Sequence, residues 1–500
     1  MNEDRPAPTL ERLLAERRIS AGTPEFERAV AGADREQLVA AGRALGWAID
    51  DAIGRPRLIA SLDDARRLVL APLRRLGGGT AALGAASFHP SGFVREAAVR
   101  ALADVWSGDE LRFLLIRRND WVEPVRRAAT AALDARVGAW NAALFLPELA
   151  LVERLAECGR DDHLPFVRAV RTLLRDEAAT RIVLVGRIGA TDAATRRPAF
   201  CALTDGVGAW PEDVRRAAQR SPDGTLRAAA VRAAAASDAG AAVAAALRDP
   251  FGAVVAQALF VADERLPSSD WAAALDRAVT DRRATVRSAA RWILGKRGVS
   301  DFAERYRRLL ATPDAASLDG ALSGLGETGD ASDAPRIADF LEHARPRIRR
   351  AAVAAWTRTA DVSDSGPLVR AIEDSSRAVS VRARSALLGR PSRGAFDACA
   401  RLVRDGRSPH VRFNALVVVA AGDWWSAGPV LLAACASDDV ALSESARLFV
   451  RAWSTRRSVP AGTAGAIDAL RAAVADVEDR IDAADLRRIR WILETERRMR

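Results

Sequence analysis

The sequence predicts an all-α fold, an α-solenoid (superhelix) of roughly 11–13 helix pairs. Three observations predict it. A short phrase, an apolar residue followed by arginine, small or variable residues and alanine, recurs along the chain at a nearly constant step. Each step carries two amphipathic helical patterns separated by a turn. The composition is 49% hydrophobic but only 5% aromatic, with much alanine, which suits closely packed helices better than a sheet.

The phrase appears at Val94-Arg95-Glu96-Ala97-Ala98, Val125-Arg126-Arg127-Ala128-Ala129, Leu226-Arg227-Ala228-Ala229 and Val286-Arg287-Ser288-Ala289-Ala290. It returns at Ile348-Arg349-Arg350-Ala351-Ala352, Val381-Arg382-Ala383-Arg384 and Val411-Arg412-Phe413-Asn414-Ala415, with degenerate copies at Val254, Leu318 and Leu442. From Leu226 onward the steps between these markers are 28, 32, 32, 30, 33, 30 and 31 residues. The stretch from Ser300 to Gly329 shows the unit. Ser300 or Asp301 caps a first helix through Phe302, Tyr306, Leu309 and Leu310; Thr312-Pro313-Asp314 breaks it; Leu318, Leu322 and Leu325 mark a second helix ending near Gly326 and Gly329. One such pair cannot bury its own apolar stripe, so neighbouring pairs must stack.

Two copies carry a resemblance: Asn119-Asp120-Trp121-Val122-Glu123-Pro124-Val125-Arg126-Arg127-Ala128-Ala129, and the stretch from Asp281 through Val286-Arg287 to Ala290. In both, a turn Asp is followed six residues later by Arg, and the chain resembles the HEAT-repeat family, including its phycobilisome-lyase-type subgroup and bacterial members. The resemblance implies a ladder of Asp and Arg contacts between successive repeats, using Asp120, Arg126, Asp281 and Arg287. His89 before Arg95, and Val255 at an Arg position, interrupt that pattern.

The array is expected to span residues 80–457, irregular near 137–208, where His163-Leu164-Pro165-Phe166-Val167 to Gly186-Arg187-Ile188-Gly189 still reads as one helix pair. Residues 1–79 read as an N-terminal helical cap or small helical domain, with Gly77-Gly78-Gly79-Thr80 as a joint. Residues 458–500 read as a C-terminal helical cap, because Ile467, Leu470, Val474, Val477 and Ile481 keep a single apolar stripe.

Lys296 is the only lysine, so the net charge of +10 rests on arginine. Spread over 500 residues it is a modest field, weaker than that of a dedicated nucleic-acid binder. Cys158, Cys201, Cys399 and Cys435 lie far apart without metal-ligand spacing and read as small buried groups in a reducing, cytoplasmic setting. No apolar run reaches membrane-spanning length, and Met1 to Leu10 is polar, without a signal-peptide core.

Catalytic constellations are missing from the sequence. His89, His163, His343 and His410 are isolated and read as exposed or loop residues; there is no HExxH, phosphate loop or nucleophile elbow. No cofactor and no metal are expected. The resemblance brings in two enzyme classes, phycobilin lyases and HEAT-like alkylpurine DNA glycosylases, but no segment reproduces a motif of either.

Two candidate partner surfaces remain. Arg95, Arg126, Arg227, Arg287, Arg349, Arg382 and Arg412 share one register on successive second helices. They form either an inter-repeat ladder or a line of guanidinium groups able to grip phosphates or acidic helices. Trp210, Trp271 and Trp424-Trp425 fall near first-helix starts and Trp121 in a turn, as packing residues or interface anchors. Trp106, Trp292, Trp356 and Trp453, inside second helices, are expected in the core, and the basic helix Asp485–Arg500 is expected to be a solvated cap. The sequence therefore points to a non-catalytic protein-binding scaffold, with a nucleic-acid-binding protein that uses the arginine line as the alternative.

Overall fold

A computed structural model describes residues 10–16, 18–21, 23–54, 59–76, 79–312, 317–456 and 459–498. Every regular element among them is helical and no strand occurs. The chain forms two compact units, Met1–Asp238 and Ala239–Arg500.

The second unit is the more regular of the two. Its eight pairs join Ala239–Ala246 to Gly252–Arg265, Ser268–Val279 to Ala284–Lys296, Phe302–Leu310 to Leu318–Thr328, and Ala334–Ala338 to Pro346–Thr359. They continue as Gly366–Ile372 with Arg377–Leu388, Arg393–Asp405 with Pro409–Ala420, Trp424–Cys435 with Val440–Ser454, and Ala464–Ala475 with Ala483–Arg498. Second helices of successive pairs pack on one another. Small residues make this close approach workable: Ala290, Ala352, Ala383 and Ala415 are fully buried. Leu318–Thr328 goes further, because a Cβ on Gly320 would lie 1.8 Å from the Thr280 carbonyl oxygen and one on Gly324 would lie 2.2 Å from the Tyr306 ring. Only glycine fits at either place.

Helix starts follow ordinary capping chemistry. Asp301, Ser392, Asp423, Asp439 and Thr463 each accept an amide hydrogen bond from the first turn of the helix they precede. In the last of these pairs Ile467, Leu470 and Val474 from the first helix, Val477 from the turn after it, and Leu486, Ile489, Ile492 and Leu493 from the second helix are buried.

The first unit carries four regular pairs: Thr80–Ala86 with Gly92–Ala103, Leu111–Arg117 with Glu123–Asp134, Ala178–Arg187 with Ala193–Thr204, and Glu212–Arg220 with Gly224–Ala234. The twelve regular pairs among the described residues fall within the range expected from the repeat. Between the second and third pairs the chain makes a 3-10 turn at Ala139–Asn141, two short helices, Ala142–Phe145 and Leu149–Leu155, and a longer one, Leu164–Asp176. Leu164–Asp176 packs on both Ala178–Arg187 and Ala193–Thr204, which includes the expected pairing from His163 to Gly189.

Ahead of the array, helix Pro24–Gly32 packs on Thr80–Ala86. The Glu27 carboxylate accepts the amides of Gly79, Ala81 and Ala82 at 3.0–3.2 Å. Those are orphan donors of a helix N-terminus, and an anion there also meets the helix dipole favourably. The joint foreseen at Gly77 to Thr80 is thus held on its C-terminal side, while Gly77 and Gly78 lie outside the described residues, as do Pro313, Asp314, Arg457 and Arg500.

Candidate interaction surfaces

The fourth residue of seven second helices is arginine: Arg95, Arg126, Arg196, Arg227, Arg287, Arg349 and Arg412. Six of them fold back over the preceding turn and donate through Nη1 to the carbonyl six residues earlier. The acceptors are His89 (3.0 Å), Asp120 (2.8 Å), Ala190 (2.7 Å), Ser221 (2.8 Å), Asp281 (2.6 Å) and His343 (2.8 Å). The hydrogen bond relieves a turn carbonyl that the helices leave unpaired. Arg412 departs, donating instead to the Val403 carbonyl (3.0 Å) and the Ser437 hydroxyl (2.8 Å).

The rest of each guanidinium reaches toward the next repeat. Arg95 grips Asp120 with two bonds of 3.1 and 3.2 Å, and Arg349 grips Asp374 with two of 2.7 Å, each pair 25 residues apart. Arg126 approaches Asp161 at 3.9 Å and Arg196 approaches Asp223 at 3.5 Å. Arg287 turns to Glu327, because the Asp281 carboxylate is held within its own turn by Arg283. The Asp120–Arg126 and Asp281–Arg287 contacts thus run through the aspartate carbonyl and stay within one repeat, while the link between repeats at Asp120 is made by its carboxylate with Arg95. Arg95 and Arg287 are buried, at 4% and 3% exposure.

Arg382 corrects the shared register expected of the arginines. In Arg377–Leu388 the fourth residue is Ser380, which is buried and donates to the Ile372 carbonyl at 2.7 Å. Arg382 lies two positions on, about 200° round the helix. Its Nε is sealed from solvent without an acceptor.

A second arginine set, which the repeat phrase did not reveal, closes helix ends. Arg136, Arg390 and Arg456 each stand two residues beyond the end of a second helix and reach back to the exit of the preceding one. Arg136 donates to the carbonyls of Ala103 (2.9 Å) and Val105, Arg390 to those of Ala360 (2.9 Å) and Asp361 (2.8 Å), and Arg456 to that of Ala420 (2.8 Å). A cation at a helix C-terminus satisfies orphan carbonyls and opposes the dipole. Arg136 also pairs with Glu110 at 3.1 Å, both side chains essentially buried. The signal in the sequence was the constant offset from the helix end.

The tryptophans divide between packing and exposure. Trp271, Trp424 and Trp425, open in the sequence to either a packing or an anchor role, are buried at 3%, 2% and 6%. Trp424 stacks on Trp453 at 4.3 Å, and each indole N–H donates to the other's carbonyl, at 3.2 and 2.9 Å. Trp425 donates to the Pro460 carbonyl at 2.7 Å. Trp210 is half-buried edge-on against Phe200, whereas Trp121 stands exposed with Arg95 beneath its ring. Trp356 and Trp453 are in the core, but Trp106 and Trp292 are exposed. Trp106 lies stacked on exposed Trp140 at 5.4 Å, with the Arg136 guanidinium 4.2 Å from its ring centroid.

His89 and His163 lie in connections between helices, in line with the loop reading, and are buried there. His89 accepts the Ser91 amide at Nδ1, so its Nε2 carries the proton shared with Asp50 at 3.0 Å. Burial and the nearby Arg118 lower the His163 pKa, which favours its neutral form. Cys399 and Cys435 are buried, which pushes their thiols up to about 12 and about 11; Cys158 and Cys201 are only half-buried. Among the described residues no three His, Cys, Asp or Glu side chains converge at metal-binding distance, and no helix is long and apolar enough to cross a membrane.

No protein-family model and no curated protein matches the chain. Among solved structures it is similar to Kap95p, in a structure concerned with Kap95p binding and the switch loops of RanGDP, at 13% identity over 94% of this chain and 66% of that one, with a TM-score of 0.30. It is similar to an engineered protein at 14% identity over 82% of this chain and 98% of that one (TM-score 0.20). A Kap121p mutant matches at 12% identity over 95% of this chain and 50% of that one (TM-score 0.23). The chain therefore spans about two thirds of the length of Kap95p and half that of Kap121p. Likenesses at these scores carry no argument about function.

Proposed function

We propose that this chain is a non-catalytic, cytoplasmic protein-binding scaffold of HEAT-repeat type, with residues 1–79 and 458–500 serving as terminal caps. One observation carries the reading: Trp106 and Trp140 lie face to face at 5.4 Å while 43% and 75% exposed. Two large apolar rings left in water, Trp106 beyond helix Gly92–Ala103 and Trp140 in the 3-10 turn, are poor for solubility and well suited to anchor a protein partner. Trp121, 71% exposed at the other end of helix Glu123–Asp134, adds a second anchor. The arginines of the repeat register are mostly engaged with the chain's own carbonyls and carboxylates.

Affinity capture on the full chain, with and without nuclease, tests the proposal. A nuclease-resistant protein partner should be recovered, and the double variant Trp106→Ala, Trp140→Ala should lose it while keeping its helical circular dichroism. Recovery of nucleic acid alone, or capture indifferent to both tryptophans, would refute it.

A further inference from the structure

A run of unbalanced charge lies in the second unit. Helices Pro346–Thr359, Arg377–Leu388 and Pro409–Ala420 carry four, three and one arginine and not a single aspartate or glutamate. Several of those arginines are paired from outside: Arg347 with Asp319, Arg349 with Asp374, Arg412 with Asp439. Arg350, Arg358 and Arg382 have no carboxylate partner among the described residues. Arg350 and Arg358 are exposed, two turns apart on one helix, hence about 12 Å along its axis. Arg382 lies on the neighbouring helix, which packs against Pro346–Thr359, and burial and then repulsion from Arg358 and Arg350 lower its pKa. Its buried Nε donates to nothing. Three like charges on two packed helices with no carboxylate among them are an unfavourable arrangement that an anion beside their exposed guanidinium groups would relieve.

The groove on the other flank of Arg377–Leu388 has the opposite character. Leu388 stands about 120° round the helix from Arg382 and is 42% exposed. It opens onto a cleft of about 300 Å³ shared with Pro391, Phe396, Val418 and Gly422. Two polar groups at the rim are already engaged: Arg393 with Asp397, and Asp423 with the Ser426 amide at 3.0 Å. A cleft of this size accepts one bulky apolar side chain. Leu388 also stands six residues beyond Arg382, hence about 9 Å further along the helix axis.

We infer that helix Arg377–Leu388 is crossed by an acidic protein segment that sets carboxylates or phosphate esters against Arg350, Arg358 and Arg382 and seats one apolar side chain in the Leu388–Val418 cleft. A nucleic-acid strand would use the arginines but offers the cleft only flat bases and, in thymine, a single methyl group in place of a branched aliphatic side chain. This inference rests on the scaffold reading only for the class of partner, and it uses none of the tryptophans on which that reading is tested.

Fluorescence anisotropy on the full chain decides it, with a ten-residue glutamate-rich peptide containing one leucine, the same peptide with serine in place of leucine, and an oligothymidylate of equal charge as probes. The leucine peptide should bind more tightly than the other two. The double variant Arg350→Glu, Arg358→Glu should weaken it at least about tenfold. Leu388→Ser, at a partly exposed position that folding tolerates, should weaken the leucine peptide about fivefold and leave the serine peptide unchanged, as expected for loss of one apolar contact. No binding of the leucine peptide, indifference to the arginine reversals, or tighter binding of oligothymidylate overturns the inference. None of these results bears on capture through Trp106 and Trp140.

Discussion

The turns around Asp120 and Asp281 share a sequence signature and differ in wiring. In both, the arginine six residues on donates to the aspartate's own carbonyl. At Asp120 the carboxylate is fully buried and gathers Arg95 from the repeat before it, Arg117 from its own first helix and the Val122 amide. At Asp281 the carboxylate bends onto Arg283, two residues away, and Arg283 in turn reaches the carbonyls of Asp249 and Pro250. The first aspartate joins repeats directly, and the second does so through an intermediary arginine. A backbone acceptor is fixed by helix geometry, whereas a carboxylate goes to whichever cation reaches it first.

The difference should be largest in stability. Asp120→Ala strands Arg95 and Arg117 in a buried setting, and removing one partner of a buried ion pair costs about 3–5 kcal/mol. Asp281→Ala leaves Arg283 a quarter exposed and still bonded to two carbonyls, for a loss of about 1 kcal/mol. Denaturation followed by circular dichroism gives the comparison, and amide exchange should place the Asp120 loss in helices Gly92–Ala103 and Glu123–Asp134. Equal losses would mean that the two turns are equivalent after all.

The same contrast explains what could be read in advance. Repeat length, helix pairing and the solenoid followed from periodicity, because a stripe of apolar residues must be covered whatever the details. Arg95, Arg126, Arg287 and Arg349 were legible as a register for the same reason. Arg382 was not, since Val381-Arg382 mimics the phrase although Val379 and Ser380 occupy its buried positions. Trp292 departs from the core placement expected of it because exposure depends on what the adjacent repeat offers: Phe260 meets it edge-on and Lys296 lies over its ring, whereas Trp453 covers Trp424. Arg136 and Arg390 were hidden because their partners are carbonyls, which every residue has.

Glycines sharpen the comparison at intermediate size. In Leu318–Thr328 an alanine at Gly320 would drive its Cβ into the Thr280 backbone, which cannot swing aside; Gly320→Ala should cost about 1–3 kcal/mol, the range for overpacking. One second helix earlier, Gly295 has open space around it, and Gly295→Ala should stabilise by about 0.5–1 kcal/mol through helix propensity alone. Opposite signs in the unfolding midpoint identify close inter-repeat approach, and not glycine as such, as the constraint; a shared sign would reject it.

The smallest expected effect is in acid. Burial alone would raise the Asp120 carboxyl, but hydrogen bonds from Arg117, the Val122 amide and Arg95 outweigh it and hold the group below its ordinary value. Arg117 shifts the other way from a simple ion pair, lowered because its burial outweighs Asp120; only the aspartate matters at accessible pH, since arginine stays charged. Asp281 is lowered by the same balance, with Arg283 as donor against burial. A depressed native pKa means the unfolded chain binds more protons, so each aspartate contributes stability that is complete above the unfolded value of about 4 and lost as pH falls through the native one. The wild-type unfolding midpoint should therefore drop between pH 6 and pH 3, and Asp120→Asn, already less stable at pH 6, should drop by less. If the variant's acid limb is as steep as the wild type's, the carboxylate of Asp120 is not what the acid is titrating.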